Sequence, residues 1–270
     1  MIAVAAVWGV EGPASADGQA DRPGQAQPSH GRAQFREALA EVWCEPQART
    51  FTIFVFVSML AYSGQELILE PFAGSIFGFT PGQSTGLAGL QHGGVFAGMV
   101  LVAAGVRLAR GTGLASLRLW AVGGCVASAT ALIGLFVFGI AGIGWPLRSW
   151  VFVLGMCNGV FAIAAIGQMM SLANSGRPGR EGTRMGLWGA AQGIAFGCGG
   201  ICGAGASDIA KLIFGPTASA YAWVFALEAA LFLYAAQLAL RLGRPVGQGE
   251  ITSEMIEPFR RDGLAGQRPA

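Results

Sequence analysis

Six apolar stretches, each near the roughly 20 residues that carry a helix across about 30 Å of hydrocarbon, decide what this chain can fold into. They lie at residues 51–69, 85–106, 119–141, 149–172, 185–206 and 219–241. Charged residues make up 12% of the chain, about half the share of a soluble domain, so much of the surface faces lipid. The expected fold class is all-α, an integral membrane bundle of six helices. Glycine, 43 residues in all, is concentrated in the apolar segments, where small residues let helices approach closely.

The spans divide the chain. Residues 1–10 are apolar but lack a basic start, and no small-residue cleavage site follows, so they make a poor signal peptide. Residues 11–31 are rich in Gly, Pro, Gln and Ala and are expected to be a disordered cytoplasmic segment. Over residues 32–48, Phe35, Leu39, Val42 and Trp43 share one face, with Arg36, Glu37 and Glu41 elsewhere, the pattern of an interfacial amphipathic helix. The transmembrane domain takes residues 49–244, and 245–270 form a tail.

Orientation follows from the basic residues. Arg32, Arg36 and Arg49 precede the first span; Arg107, Arg110 and Arg118 lie between the second and third. Arg177, Arg180 and Arg184 lie between the fourth and fifth, and Arg241 and Arg244 follow the sixth. The opposite loops hold only Arg148 and Lys211. The bias alternates without exception and places both termini in the cytoplasm.

Polar groups inside spans are costly, which makes each a candidate for function. The first span turns polar at Gln65 and Glu66, followed by Glu70 one turn later. The second carries Gln91 and His92 at a depth similar to that of Glu66. Three readings of His92 are open: a hydrogen-bonded core residue, a protonatable partner for Glu66, or an axial ligand for a tetrapyrrole's magnesium. Asn158, Gln192 and Glu228 complete the set of ligand-binding or proton-coupling candidates. Glu228 stands alone in AWVFALEAALFLY and is expected to be protonated or to face a polar cavity. Matched depth suggests one cavity shared by Glu66, His92 and Glu228.

Gly186, Gly189, Gly193 and Gly197 form a stripe expected to pack inside the bundle, the alternative being a flat face for a planar ligand or partner helix. The cysteines, including the Cys198 and Cys202 pair one turn apart, read as small apolar residues rather than metal ligands. No phosphate loop, dinucleotide fingerprint, zinc-protease helix or nucleophile elbow is present, so an enzyme is not expected. The arginines sit in separate loops and make no nucleic-acid patch.

Several stretches together resemble the PucC/LhaA family, a bacteriochlorophyll-delivery branch of the major facilitator superfamily. They are FVSMLAYSGQELILEPFAGSIFGFTPGQST, GLQHGGVFAGM, WAVGGCVASA, FAIAAIGQMMSLA, GRPGREGTRMGLWGAAQGIAFGCGG and YAWVFALEAALF, spread over residues 33–244. The resemblance implies one six-helix half of a twelve-helix fold, the second half. MIAVAAVWGV then looks like the end of the helix that closes a first half, followed by the central linker. It further implies a light-harvesting complex assembly factor in the bacterial inner, intracytoplasmic photosynthetic membrane. Bacteriochlorophyll is then a cargo rather than a tightly bound cofactor. The implied partners are antenna polypeptides, bacteriochlorophyll, lipid, and either a first-half six-helix unit or a second copy of the chain. Two other readings are open: half of a proton-coupled transporter using Glu66 and Glu228, or an inactive truncated fragment.

Overall fold

Proline and glycine punctuate the first hairpin. Pro46 supplies the first-turn position where a missing N–H costs nothing, and opens helix α1, Pro46–Phe77. The helix ends where Gly78 takes the left-handed conformation (φ 63°), which glycine adopts without a Cβ clash. Thr80 and Gln83 then form a capping box, with Pro81 in the first turn, and start α2, Pro81–Leu108. The remaining spans are α3 (Leu117–Ala141), α4 (Leu147–Asn174), α5 (Glu181–Phe214) and α6 (Ala218–Arg241). The computed structural model describes residues 37–109, 116–141, 146–174, 180–215 and 218–242. The expected leading segment 1–31 and tail 245–270 lie outside these, as do residues 32–36 of the expected interfacial helix. Residues 37–44 of that helix are helical, with Val42 buried and Trp43 exposed.

All six helices are long and apolar enough to cross a membrane, and the chain is a multi-pass membrane protein. They run longer than their apolar centres. The first apolar stretch ends before Pro71, yet α1 continues through it to Phe77. A membrane helix tolerates an internal proline because neighbouring groups and local adjustment satisfy the freed carbonyl. At 1.5 Å per residue, the 34 residues of α5 span about 51 Å, so its polar ends project beyond the hydrocarbon.

Packing repeats by threes. The α2 helix lies against α4 as α5 lies against α1; α3 touches α4 as α6 touches α1; α3 and α6 meet each other. The scheme exchanges α1–α3 with α4–α6, the inverted three-helix repeat of transporter folds and the arrangement implied by one half of a facilitator. Aromatic rings interlock among the small residues of the core. Phe51 meets the Trp188 ring at 4.9 Å edge-on, and Phe161 bridges Phe54 and Phe232.

Glycines make two of the three most extensive helix contacts. Between α2 and α4, Gly94 and Gly98 lie against the carbonyls of Phe152 and Met156, and Gly155 and Gly159 against those of Gln91 and Val95. Between α1 and α5, a Cβ on Gly199 would lie 2.8 Å from the Leu60 carbonyl, and one on Gly203 3.1 Å from the Gly64 Cα. The stripe expected to serve this purpose does not. At Gly186, Gly189, Gly193 and Gly197 an added Cβ would meet nothing within 4 Å. The reason is rotational: α5 turns Arg184, Trp188, Ala191, Ala195, Gly199 and Gly203 inward, leaving the other stripe outside. A matching open stripe runs along α2 at Gly82, Gly86, Gly89 and Gly93. These two helices are the least covered: 28% of the most apolar window is buried in each, against 50–67% in the other four.

Charge fastens one end. Arg184, only 2% exposed at its side chain, donates to both Glu45 carboxylate oxygens from Nη2 at 2.8 and 2.9 Å and to one of them from Nε at 3.2 Å, and also donates to the Ala173 carbonyl. One turn earlier on each helix, Arg180 meets Glu41 at 2.9 Å. The segment before α1 is thereby tied to the start of α5.

Candidate functional site

The α1–α2 hairpin sets two polar faces against each other. On α1, Glu66 and Glu70 fall one turn apart; on α2, Ser84, Gln91 and His92 recur at two-turn spacing. Together they line a groove of about 240 Å³, with Leu69 and Leu87 supplying its apolar floor.

The geometry fixes the chemistry of His92. Its Nδ1 lies 2.8 Å from the Ala88 carbonyl, which can only accept, so Nδ1 carries the proton and donates it. Nε2 points into the groove, 3.7 Å from Glu66 Oε1, beyond hydrogen-bond length. Two states fit this spacing. A neutral ring leaves an Nε2 lone pair free to ligate a metal; a cationic ring makes a loose ion pair with Glu66. Glu66 also interacts with Tyr62 one turn earlier, and the Tyr62 ring meets Phe196 of α5 edge-on at 6.0 Å. Gln91 is 2% exposed, and its Nε2 has no hydrogen-bond partner in the protein.

Glu228 does not belong to the groove. It is 3% exposed and lies where α6 meets α1 and α5, its Oε1 2.7 Å from the place a Cβ on Gly64 would occupy. Gly64 and Glu66 are two residues apart, about 200° around the helix, so they face opposite sides of α1. Matched depth therefore did not mean a shared cavity. Both Glu228 oxygens lack a protein partner, as do both amide atoms of the buried Gln65.

The other candidates separate as well. Asn158 is buried and accepts a hydrogen bond from Ser128 Oγ at 2.8 Å, joining α4 to α3 away from the groove. Gln192 is exposed on the open side of α5, because it follows the inward Ala191 by one residue. All five cysteines are free, and among the described residues no three His, Cys, Asp or Glu side chains gather as metal ligands. The charged fastening at Arg184 escaped the sequence reading, although Glu41 and Glu45 share the four-residue spacing of Arg180 and Arg184.

The model of the family described as PUCC protein matches residues 1–246. A protein named bacteriochlorophyll synthase 44.5 kDa chain, from Rhodobacter capsulatus, is 48% identical over 255 residues, covering 94% of this chain and 56% of the relative. Protein PucC of Cereibacter sphaeroides is 31% identical over 227 residues, covering 80% of this chain and 42% of the relative. An uncharacterized protein in the puhA-bchM intergenic region of Rhodobacter capsulatus is 30% identical over 184 residues, 66% of this chain and 36% of the relative. The chain thus spans about half the length of the curated relatives it matches, or less. No solved structure matches it.

Proposed function

The chain belongs to the PUCC protein family, and we propose from that premise that it assists assembly of bacterial light-harvesting complexes by holding bacteriochlorophyll for antenna polypeptides. One relative bears a name from this chemistry, bacteriochlorophyll synthase 44.5 kDa chain. One observation carries the reading at the level of atoms: His92 donates Nδ1–H to a backbone carbonyl, so in the neutral ring the lone pair is on Nε2, on the side of the groove. A histidine that ligates a metal commonly has its other nitrogen held this way, which fixes both tautomer and ring angle. The magnesium of the pigment is the metal in this reading, and the role is carriage rather than catalysis. The open faces of α2 and α5 expose His92 and Gln192 within the spans. Lipid would be an unfavourable neighbour there, and a further six-helix unit covers those faces in the assembled protein.

The Glu66–His92 approach of 3.7 Å favours one second reading, proton-coupled transport. Strains separate the two. In a host whose own copy is deleted, antenna absorbance is expected to fall while bacteriochlorophyll synthesis continues. Restoring His92→Phe keeps an apolar ring without the nitrogen and should not recover the antenna. Glu66→Gln keeps shape and hydrogen bonding without titration and should recover it. Normal antenna in the deletion strain, or a build-up of pigment precursor, would reject the assembly role. Loss of antenna with Glu66→Gln alone would favour proton coupling.

The proposal includes an inner-membrane location with both termini in the cytoplasm, resting on the alternation of basic loops. In a cysteine-free background, Thr112→Cys and Pro178→Cys should resist an impermeant reagent added outside, and Thr80→Cys should react. Outside labelling of Thr112→Cys would reverse the orientation.

A further inference from the structure

The outward side of α3 is a ridge of side chains with one gap. Leu119, Val126, Thr130, Ile133 and Val137 all face away from the bundle, at intervals that keep them on one side of the helix. Gly123 falls in the same row, and a Cβ built on it would meet nothing within 4 Å. Its neighbour Gly124 has a different role. There a Cβ would press on the Phe161 backbone, so Gly124 lets α3 lie close against α4. Gly123 serves no such contact, and a glycine inside a helix is destabilising relative to alanine. An open glycine on this row points to a contact outside the bundle.

The gap is part of a groove of about 320 Å³, lined by Leu119, Trp120, Gly123 and Gly124 of α3 and by Val160 of α4. The Trp120 ring is wedged in place, since a Cβ on Gly105 of α2 would come within 2.5 Å of it. Every lining side chain is apolar. A partner helix, about 10 Å across, would cover a notch one side chain wide without entering it, whereas a hydrocarbon chain fits inside. The groove begins at the third residue of α3, near headgroup depth, where tryptophan is favoured. Its mouth is positively charged. Arg107 is exposed in the last turn of α2, and Arg118 immediately precedes Leu119. Arg118 turns towards α6 and donates to the carbonyls of Ala239 and Leu240, which leave its charge uncompensated. Among the described residues neither arginine meets a carboxylate, and the sequence holds no acidic residue between Glu70 and Glu181. Basic sites between transmembrane helices at this depth attract anionic lipid headgroups.

We propose that the α3–α4 groove binds an anionic phospholipid. One acyl chain lies over Gly123 between Trp120 and Val160, and the phosphate sits in the positive field of Arg107 and Arg118. The two parts of the site divide the work. The groove takes hydrocarbon from any lipid, and the charge at its mouth selects among headgroups. The inference is independent of the pigment-holding reading and of which side of the membrane the basic end faces.

The test is native mass spectrometry of the purified full chain titrated in detergent with phosphatidylglycerol or phosphatidylcholine of the same acyl chains. The wild type is expected to retain phosphatidylglycerol in preference to phosphatidylcholine. Gly123→Leu fills the groove without touching the bundle and should weaken phosphatidylglycerol binding by roughly tenfold, the loss of a few buried methylenes. If Gly123→Leu fails to insert, Gly123→Met, with an unbranched chain, fills the same space. Arg107→Gln should lower the preference for phosphatidylglycerol by roughly fivefold and leave phosphatidylcholine unchanged. Val126→Phe, on the same outward row but outside the groove, should bind as the wild type does. Equal retention of the two lipids by the wild type overturns the proposal. So does undiminished phosphatidylglycerol binding by the groove-filling variant, or an equal loss with Val126→Phe.

Discussion

Replacing Gly159 by alanine is expected to destabilise the bundle by roughly 3 kcal/mol, the upper end of what overpacking costs. The new methyl would fall inside the Val95 carbonyl of α2, and a backbone atom cannot rotate aside. The two helices would have to separate along the contact that Gly94, Gly98 and Gly155 also form. Gly189→Ala supplies the control. Its methyl enters open space, and alanine is the better helix former by about 1 kcal/mol, so purified protein should unfold at the same or higher denaturant concentration. Detergent-titrated unfolding followed by circular dichroism compares the two variants. Equal tolerance of both would show that the α2–α4 contact is not as close as described.

Glu45→Ala is expected to cost about 2 kcal/mol, because it leaves the buried guanidinium of Arg184 with only the Ala173 carbonyl. Breaking a fully buried pair costs about 3–5 kcal/mol, and the figure is reduced here because Glu45 is about one-third exposed. Glu45→Ala combined with Arg184→Met should recover much of the loss, since no buried charge then remains unpaired. The coupling between the two sites, measured by the same unfolding titration, should exceed that of Glu41 with Arg180, whose side chains are both more than a third exposed. Additive effects of Glu45→Ala and Arg184→Met would show that the pair does not act as one unit.

Hydropathy revealed all six helices, because crossing hydrocarbon demands a composition that hides nothing. It did not reveal rotation about each helix axis. Every face of a membrane helix can be apolar, so the amphipathic stripe that marks the inner face of a soluble helix is weak. That is why the glycines of α5 were assigned to the wrong side, four-residue spacing being equally present at Gly189–Gly193–Gly197 and at Gly199–Gly203. The same blindness joined Glu228 to Glu66. Depth can be counted along a sequence, but angle depends on which neighbour each helix meets. Glu66 and His92 were brought together correctly because a three-residue turn, Gly78–Phe79–Thr80, folds α1 directly back on α2 and makes equal depth mean proximity. Gln91 was noticed as polar, but its unpartnered nitrogen is a property of the fold alone.

The exchange of partners between the two triplets has a consequence for the order of synthesis. The α1 helix finds its main neighbours in α5 and α6, and α2 finds its own in α4. Neither triplet can close on itself as it leaves the ribosome. Glu45 waits 139 residues for Arg184, roughly 7–28 s at 5–20 residues per second. During that interval α1 stands in the membrane with Ser63 and Gly64 uncovered and Glu66 awaiting α2. The nascent chain is thus most exposed to mispairing or proteolysis before its fifth span arrives, and the last two helices complete the fold rather than extend it.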